Sequence, residues 1–217
     1  GHKRPPAGGA TIERKRTVMS KLKTWGSAAL FFVAMTLLCG VLYTAVTTGF
    51  AQLLFPQQAN GSIIEVDGVK YGSTVVGQEF SDDDHMWGRP TNANVSTFTD
   101  DAGNPVMWYG PSNLSPASDE FDQLVAERVE KIREAHPEKG DRAIPSDLVT
   151  CSGSGLDPHI SPAAAEYQVD RLAKNTGKST EEVRDIIEQC TEQPQFGVLG
   201  QARVNVLKVN LMLDGVL

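Results

Sequence analysis

From Thr24 to Ile64 the chain carries no charged residue, and within that stretch Ala28–Val46 leaves the hydrophobic set only at Thr36, Gly40 and Thr44. Roughly 20 apolar residues cross the hydrocarbon core of a bilayer, whereas the apolar region of a secretory signal runs to about 15 at most. The stretch therefore predicts one transmembrane helix. The apolar run continues to Phe55, and its flank Thr47-Thr48-Gly49-Phe50 lacks a small-x-small cleavage site, so the reading is a retained anchor.

Charge divides the chain at the same place. Residues 1–23 hold seven Lys and Arg against one acid, and residues 24–217 hold thirteen against twenty-six, giving +6 and −13. Arg14, Lys15, Arg16, Lys21 and Lys23 are expected to stay cytoplasmic, which puts the acidic bulk outside. A folded part with so few cations is a poor partner for nucleic acid, because no basic surface is left to neutralise phosphates. Three cysteines exclude a disulfide scaffold. The first eighteen residues, with Pro5-Pro6, Gly8-Gly9 and no apolar period, read as a disordered tail of native or added origin, with Met19 as a candidate natural start. The expected organisation is a tail over 1–18, a basic flank and transmembrane helix over 19–55, and one extracytoplasmic domain over 56–217.

Within the helix Thr36, Gly40, Thr44 and Thr48 recur every four residues, a row of small side chains along one face where a second helix backbone can approach. A single helix without an ionisable residue cannot line an ion path or relay protons. Any transport role must come through partners.

The domain reads as α+β, a β-sheet packed by about three helices. Ile64 and Val66 alternate before Asp67-Gly68, a type I′ turn signal, and Val69 and Tyr71 alternate after it, predicting a hairpin. Ser81–Pro116 is rich in Gly, Pro, Asn and Asp, with Trp87, Phe98, Trp108 and Tyr109 interspersed, and reads as one long irregular segment. A first helix starts at Pro116 or Ser118 and stops before Pro137; a second has Ser161 as N-cap, Pro162 at its first position and runs to Gly177; a third opens with the capping box Ser179/Glu182 and buries Val183, Ile186, Ile187 and Cys190. Val204–Leu213, with Leu207, Val209, Leu211 and Leu213 alternating against Lys208 and Asn210, reads as a closing strand.

The densest motif is Val149–Gln168, holding Ser152, Ser154, Asp157 and His159. Nucleophilic catalysis needs a base within reach of a hydroxyl, which is a matter of folded geometry, and Gly153-Ser154-Gly155 is too tight for the G-x-S-x-G elbow. A phosphate loop is missing its Lys. Metal donors would be Asp82, Asp83, Asp84, His85 or His159, but the acidic triplet reads as a solvated loop and no metal site is assigned. Cys151 and Cys190 are either a bridge or two buried thiols. The plain account of the Ser/Gly/Pro run is a tight turn leading into the helix at Ser161-Pro162.

The block SGSGLDPHISPAAAEYQ, with FPQQANGS at 55–62, GRP at 88–90, PSNL at 111–114 and RVNVLKVNLMLD at 203–214, resembles the C-subunit (KdpC) family of the Kdp potassium-transporting P-type ATPases. The resemblance covers Met19 to the end, and the segment Asp82–Tyr109 departs from the shorter form of many members. It implies a non-catalytic subunit of a bacterial inner-membrane complex that imports potassium. The implied partners are a channel-like potassium-selective subunit, a P-type ATP-hydrolysing subunit and a small stabilising subunit. Potassium, ATP and magnesium are then handled by the partners, with no cofactor in this chain, and the implied role is assembly or raising the ATP affinity of the hydrolysing subunit as a catalytic chaperone. The cytoplasmic location of ATP conflicts with direct contact by an extracytoplasmic domain, so that effect is expected to be indirect. Candidate contacts are Thr36, Gly40, Thr44 and Thr48 for helix docking, and Ser152, Ser154, Asp157, His159 and Gln168 in the motif. The alternatives are a membrane-anchored serine hydrolase using Ser152 or Ser154 with His159, and a ligand sensor reporting through Trp87 and Trp108.

Overall fold

The computed structural model describes residues 7–99 and 105–217, and the side chains of 19–91 and 110–217. It divides into two compact units, Gly1–Asn60 and Gly61–Leu217. In the first, α1 (Ala7–Met35), a π-helical segment (Thr36–Tyr43) and α2 (Thr44–Leu54) form one continuous helix, followed by the short α3 (Pro56–Ala59). Met19–Leu54 is the helix long and apolar enough to cross a membrane, and none of it is buried. At about 1.5 Å per residue this stretch is about 54 Å long, well beyond a hydrocarbon core of about 30 Å. Several of its hydroxyls turn back to the helix: Thr36 donates to Phe32 O (2.8 Å) and Thr47 to Tyr43 O (2.8 Å). The helix ends where Phe55 leaves helical geometry (φ −138°) ahead of Pro56. Its start differs from expectation. Ala7–Val18 is helical where a disordered tail was predicted, since Ala10, Glu13, Arg14, Lys15 and Arg16 are good helix formers continuous with the apolar span.

In the second unit β1 (Ile63–Val66) and β2 (Val69–Ser73) form the predicted hairpin, with Asp67 and Gly68 both at positive φ (52° and 79°) as a type I′ turn requires. A second hairpin, β3 (Asn92–Thr99) with β4 (Pro105–Gly110), lies inside the segment read as irregular. The side chains of Phe98, Trp108 and Tyr109 lie outside the described ones. Helix α4 (Asp119–Ala135) is capped by Ser118, whose side chain accepts from Phe121 N. The second predicted helix is two pieces, α5 (Pro162–Tyr167) and α6 (Val169–Thr176), with Gln168 at the joint, Ser161 as N-cap and Gly177 left-handed (φ 72°) at the end. Helix α7 (Thr180–Gln189) carries both halves of the Ser179/Glu182 capping box.

The closing strand is corrected. Only Arg203–Asn205 extends, as β7, and Val206–Leu213 is helix α8, with the Asn205 side chain accepting from Lys208 N. Val206, Leu207, Val209, Asn210, Leu211 and Leu213 are all buried, so the helix is wrapped on nearly every side and its 3.6 period is lost under a chance alternation. The α+β class stands, as two hairpins and a three-stranded antiparallel sheet, β5 (His159–Ile160), β7 and β6 (Thr191–Glu192), in the order β5-β7-β6.

The core gathers Met86, Ile160, Ala164, Val169, Leu172, Val183, Val204 and Val209, all at 2% exposure or less. Two amide side chains bind an irregular strand to it. Asn210 Oδ1 accepts from Met86 N (2.7 Å) and its Nδ2 donates to Met86 O (3.1 Å); Gln168 Oε1 accepts from Trp87 N (2.8 Å) and its Nε2 donates to Trp87 O (3.0 Å). Consecutive residues are thus each gripped as a neighbouring strand would grip them. This answers how a buried, non-regular backbone satisfies its polar groups.

Candidate functional site

The motif residues sit where β5 leaves a tight turn. Ser152 Oγ accepts from Gly155 N (2.9 Å), Ser154 Oγ from Leu156 N (3.1 Å), and Asp157 Oδ1 from His159 N (3.0 Å). The three side chains therefore fold the turn on itself. Gly155 has φ 71°, and a Cβ there would lie 2.1 Å from the carbonyl carbon of Gly110, so glycine is required by both conformation and close approach.

Beyond the turn Asp157, His159 and Ser161 line an open cavity of about 410 Å³ with Arg89, Asp147 and Arg203. Asp157 Oδ2 is 3.7 Å from Arg89 and its Oδ1 is 3.5 Å from His159 Nδ1. His159 Nε2 lies 3.4 Å from Asn205 Nδ2 and 3.8 Å from Glu192, which also receives Arg203 (2.8 Å) and faces Lys208 (3.7 Å). Burial holds the His159 imidazole below its ordinary value against the opposing pull of Glu192 and Asp157. Burial raises the Asp147 carboxyl, but hydrogen bonds from Ser161, whose N is 2.6 Å away, outweigh it and the group ends below its ordinary range. Neither Ser152 nor Ser154 shares a hydrogen bond with His159; the two hydroxyls meet each other at 3.3 Å. In the cavity wall Arg89 and His159 thus face Asp157, Arg203 is paired with Glu192, and Asp147 is held by the Ser161 backbone.

Gln168 lies apart from that wall. It is fully buried, and besides Trp87 it accepts from Arg171 (2.7 Å) and donates to Ala164 O (3.3 Å), so its side chain is a staple of the core. Arg171, which sequence reasoning missed, is 3% exposed and donates to the carbonyls of Asp83 (2.5 Å) and His85 (2.9 Å) and to His136 Nε2 (3.1 Å). Burial lowers it to about 10, and Asp83 pulls the other way. No pattern in the sequence distinguishes this arginine from a solvated one. The loop it holds brings donor atoms of Asp82, Asp84 and His85 within 4.8 Å of one another, and His159 is not among them. Cys151 and Cys190 are free thiols: Cys151 Sγ accepts from Arg128 (3.4 Å), and buried Cys190 lies 3.5 Å from Met212 Sδ. Burial pushes the Cys190 thiol up to about 11.

The docking row runs from the π segment into α2, where Thr44 and Thr48 lie. Thr36 opens the π segment, Gly40 lies inside it, and Thr44 follows it, donating to Cys39 O five residues back (3.3 Å). In an α-helix residues four apart drift by about 40° per step. The π turn, with bonds reaching five residues back, holds more than four residues, so across it the same step drifts the other way. A Cβ on Gly40 would meet only Thr36 Cγ2, at 3.9 Å.

A family model described as KdpC, K+-transporting ATPase, c chain, matches residues 25–215. The chain belongs to that family. Similar relatives, each called potassium-transporting ATPase KdpC subunit, include one from Clostridium botulinum (strain Alaska E43 / Type E3), 55% identical over 88% of this chain and 94% of the relative. One from Clostridium perfringens is 54% identical over 90% and 99%, and one from Polaromonas naphthalenivorans is 48% identical over 86% and 92%. Membership in the KdpC family gives the chain a subunit role in a potassium-transporting ATPase complex.

Proposed function

We propose that the chain is a non-catalytic subunit whose helix docks on the membrane-embedded partners through Thr36, Gly40, Thr44 and Thr48, while the second unit stands outside the cytoplasm. The observation that carries this reading is the helix Met19–Leu54, apolar, nowhere buried and without a charged residue between Thr24 and Leu54. Such a helix offers no ion path, so potassium passes through the channel-like subunit, and ATP with magnesium is handled by the P-type subunit. The small stabilising subunit completes the set of partners. Basic residues before the helix support a cytoplasmic N-terminus. On that topology an effect on ATP affinity reaches the hydrolysing subunit through the assembled complex rather than through nucleotide held by this chain. The motif turn, with Ser152 and Ser154 engaged by backbone N–H groups and His159 by other partners, supports recognition over hydrolysis.

The test is Gly40→Leu in the intact complex. Its expected result is loss of co-purification with the partner subunits and of potassium uptake; normal assembly and uptake would discard the docking row.

A further inference from the structure

Thirteen basic residues follow Thr24, against twenty-six acids. Three of the thirteen, Arg89, Arg128 and Lys131, line one cavity of about 150 Å³, where Glu79 is the one acid among the described lining residues. Their charges are held in place largely by neutral groups. Arg89 donates to Cys151 O (2.9 Å) and Thr150 O (3.3 Å), with its nearest carboxylate, Asp157, at 3.7 Å. Arg128 donates to Val149 O (3.1 Å) and Cys151 Sγ (3.4 Å). Lys131 Nζ stands 5.1 Å from the centre of the Trp87 ring. Among the described residues no carboxylate lies within 4 Å of Arg128 or Lys131. A further cavity residue, Thr91, has a buried hydroxyl without a hydrogen-bond partner among the described residues. A buried hydroxyl without a partner is costly unless something accepts from it, and beside it exposed Lys131 and half-buried Arg128 have no carboxylate to compete with an incoming anion.

We propose that this cavity binds a small tetrahedral oxyanion of the phosphate type, accepting from Lys131, Arg128, Arg89 and the Thr91 hydroxyl. A water occupies about 30 Å³ of liquid, so the space suits one oxyanion group with little hydration and is too small for the drug- or nucleotide-sized ligands that fill about 300 Å³ or more. Charge-assisted bonds from preorganised guanidinium groups provide the affinity. Inorganic phosphate and the headgroup of an anionic phospholipid share this chemistry.

The test uses the full chain in neutral-detergent micelles, titrated with inorganic phosphate by calorimetry at constant ionic strength. A parallel arm places the chain in phosphatidylcholine vesicles with or without phosphatidylglycerol and measures protection of Lys131 from an amine-reactive reagent. Saturable phosphate binding, weakened about tenfold in Lys131→Gln and about threefold in Thr91→Val with unchanged unfolding midpoints, would identify the free ion. Protection of Lys131 only when phosphatidylglycerol is present, lost in Thr91→Val, would identify the headgroup. The proposal is overturned if neither probe gives a response, or if both variants respond as the parent does.

Discussion

The two units put their polar groups to opposite uses. In the helix Met19–Leu54 the hydroxyls of Thr36, Thr44 and Thr47 return to carbonyls of their own helix and the apolar side chains face outward. In Gly61–Leu217 the buried amides of Gln168, Asn205 and Asn210 reach far along the chain to hold backbone that forms no regular strand. A membrane helix must satisfy its backbone internally. A water-exposed domain with small sheets can instead place side-chain amides where ladder partners are missing. Substitutions of these buried amides should therefore be felt as stability, and substitutions on the helix surface as lost association.

The largest expected effect is Gly155→Ala, where the added Cβ meets the Gly110 carbonyl group and φ is 71°. A loss of about 4 kcal/mol in chemical unfolding of the full chain is predicted. A loss below about 1 kcal/mol would mean that the turn yields easily. Next is Gln168→Ala, which leaves Trp87 N and O unpaired in the core and should cost about 3 kcal/mol. The same measurement on Ser161→Ala, which removes the cap on Ala164 N, should show about 1 kcal/mol.

A pH ramp sharpens the comparison further. His136 Nδ1 donates to Ile132 O (2.7 Å) and its Nε2 accepts from Arg171 Nε (3.1 Å), an arrangement for the neutral ring. Burial lowers its pKa below 6.5, and the nearby Arg171 adds to this. The unfolded chain thus binds more protons between that lowered value and 6.5, so the stabilisation is full above 6.5 and is lost as pH falls through the window. His159 acts with the same sign. Unfolding midpoints measured down to pH 5 avoid Glu192, whose lowered carboxyl acts only below 4.5. His136→Gln should flatten the slope. The smallest effect is Gly40→Ala, predicted to raise stability of the isolated chain by at most about 0.5–1 kcal/mol, the helix-propensity gain, because the new Cβ meets only Thr36.

Local signals in the chain were legible wherever one residue type has one strong backbone use. Asp67-Gly68, Ser161-Pro162, Gly177 and the Ser179/Glu182 box all formed as read. The helix of the first unit was equally plain, since forty-one uncharged positions admit few solutions in water. What stayed hidden depended on distant partners. Helix α8 looked like a strand because its surroundings bury it on nearly every face, and β3 and β4 looked irregular because their Gly, Pro and Asn content weakens strand propensity. Gln168 was singled out for contact with another protein, yet its four hydrogen bonds are to this chain's own Trp87, Ala164 and Arg171. An amide does not announce whether it grips its own backbone or a neighbour's.

The proposed function puts Gly61–Leu217 outside the cytoplasm. Protease added to intact, right-side-out cells carrying the complex measures this directly. The account predicts digestion of Gly61–Leu217 from outside, leaving a membrane-protected fragment that retains the N-terminal helix. A chain that stays whole until the cells are broken open, and is then cut within that domain, would contradict it.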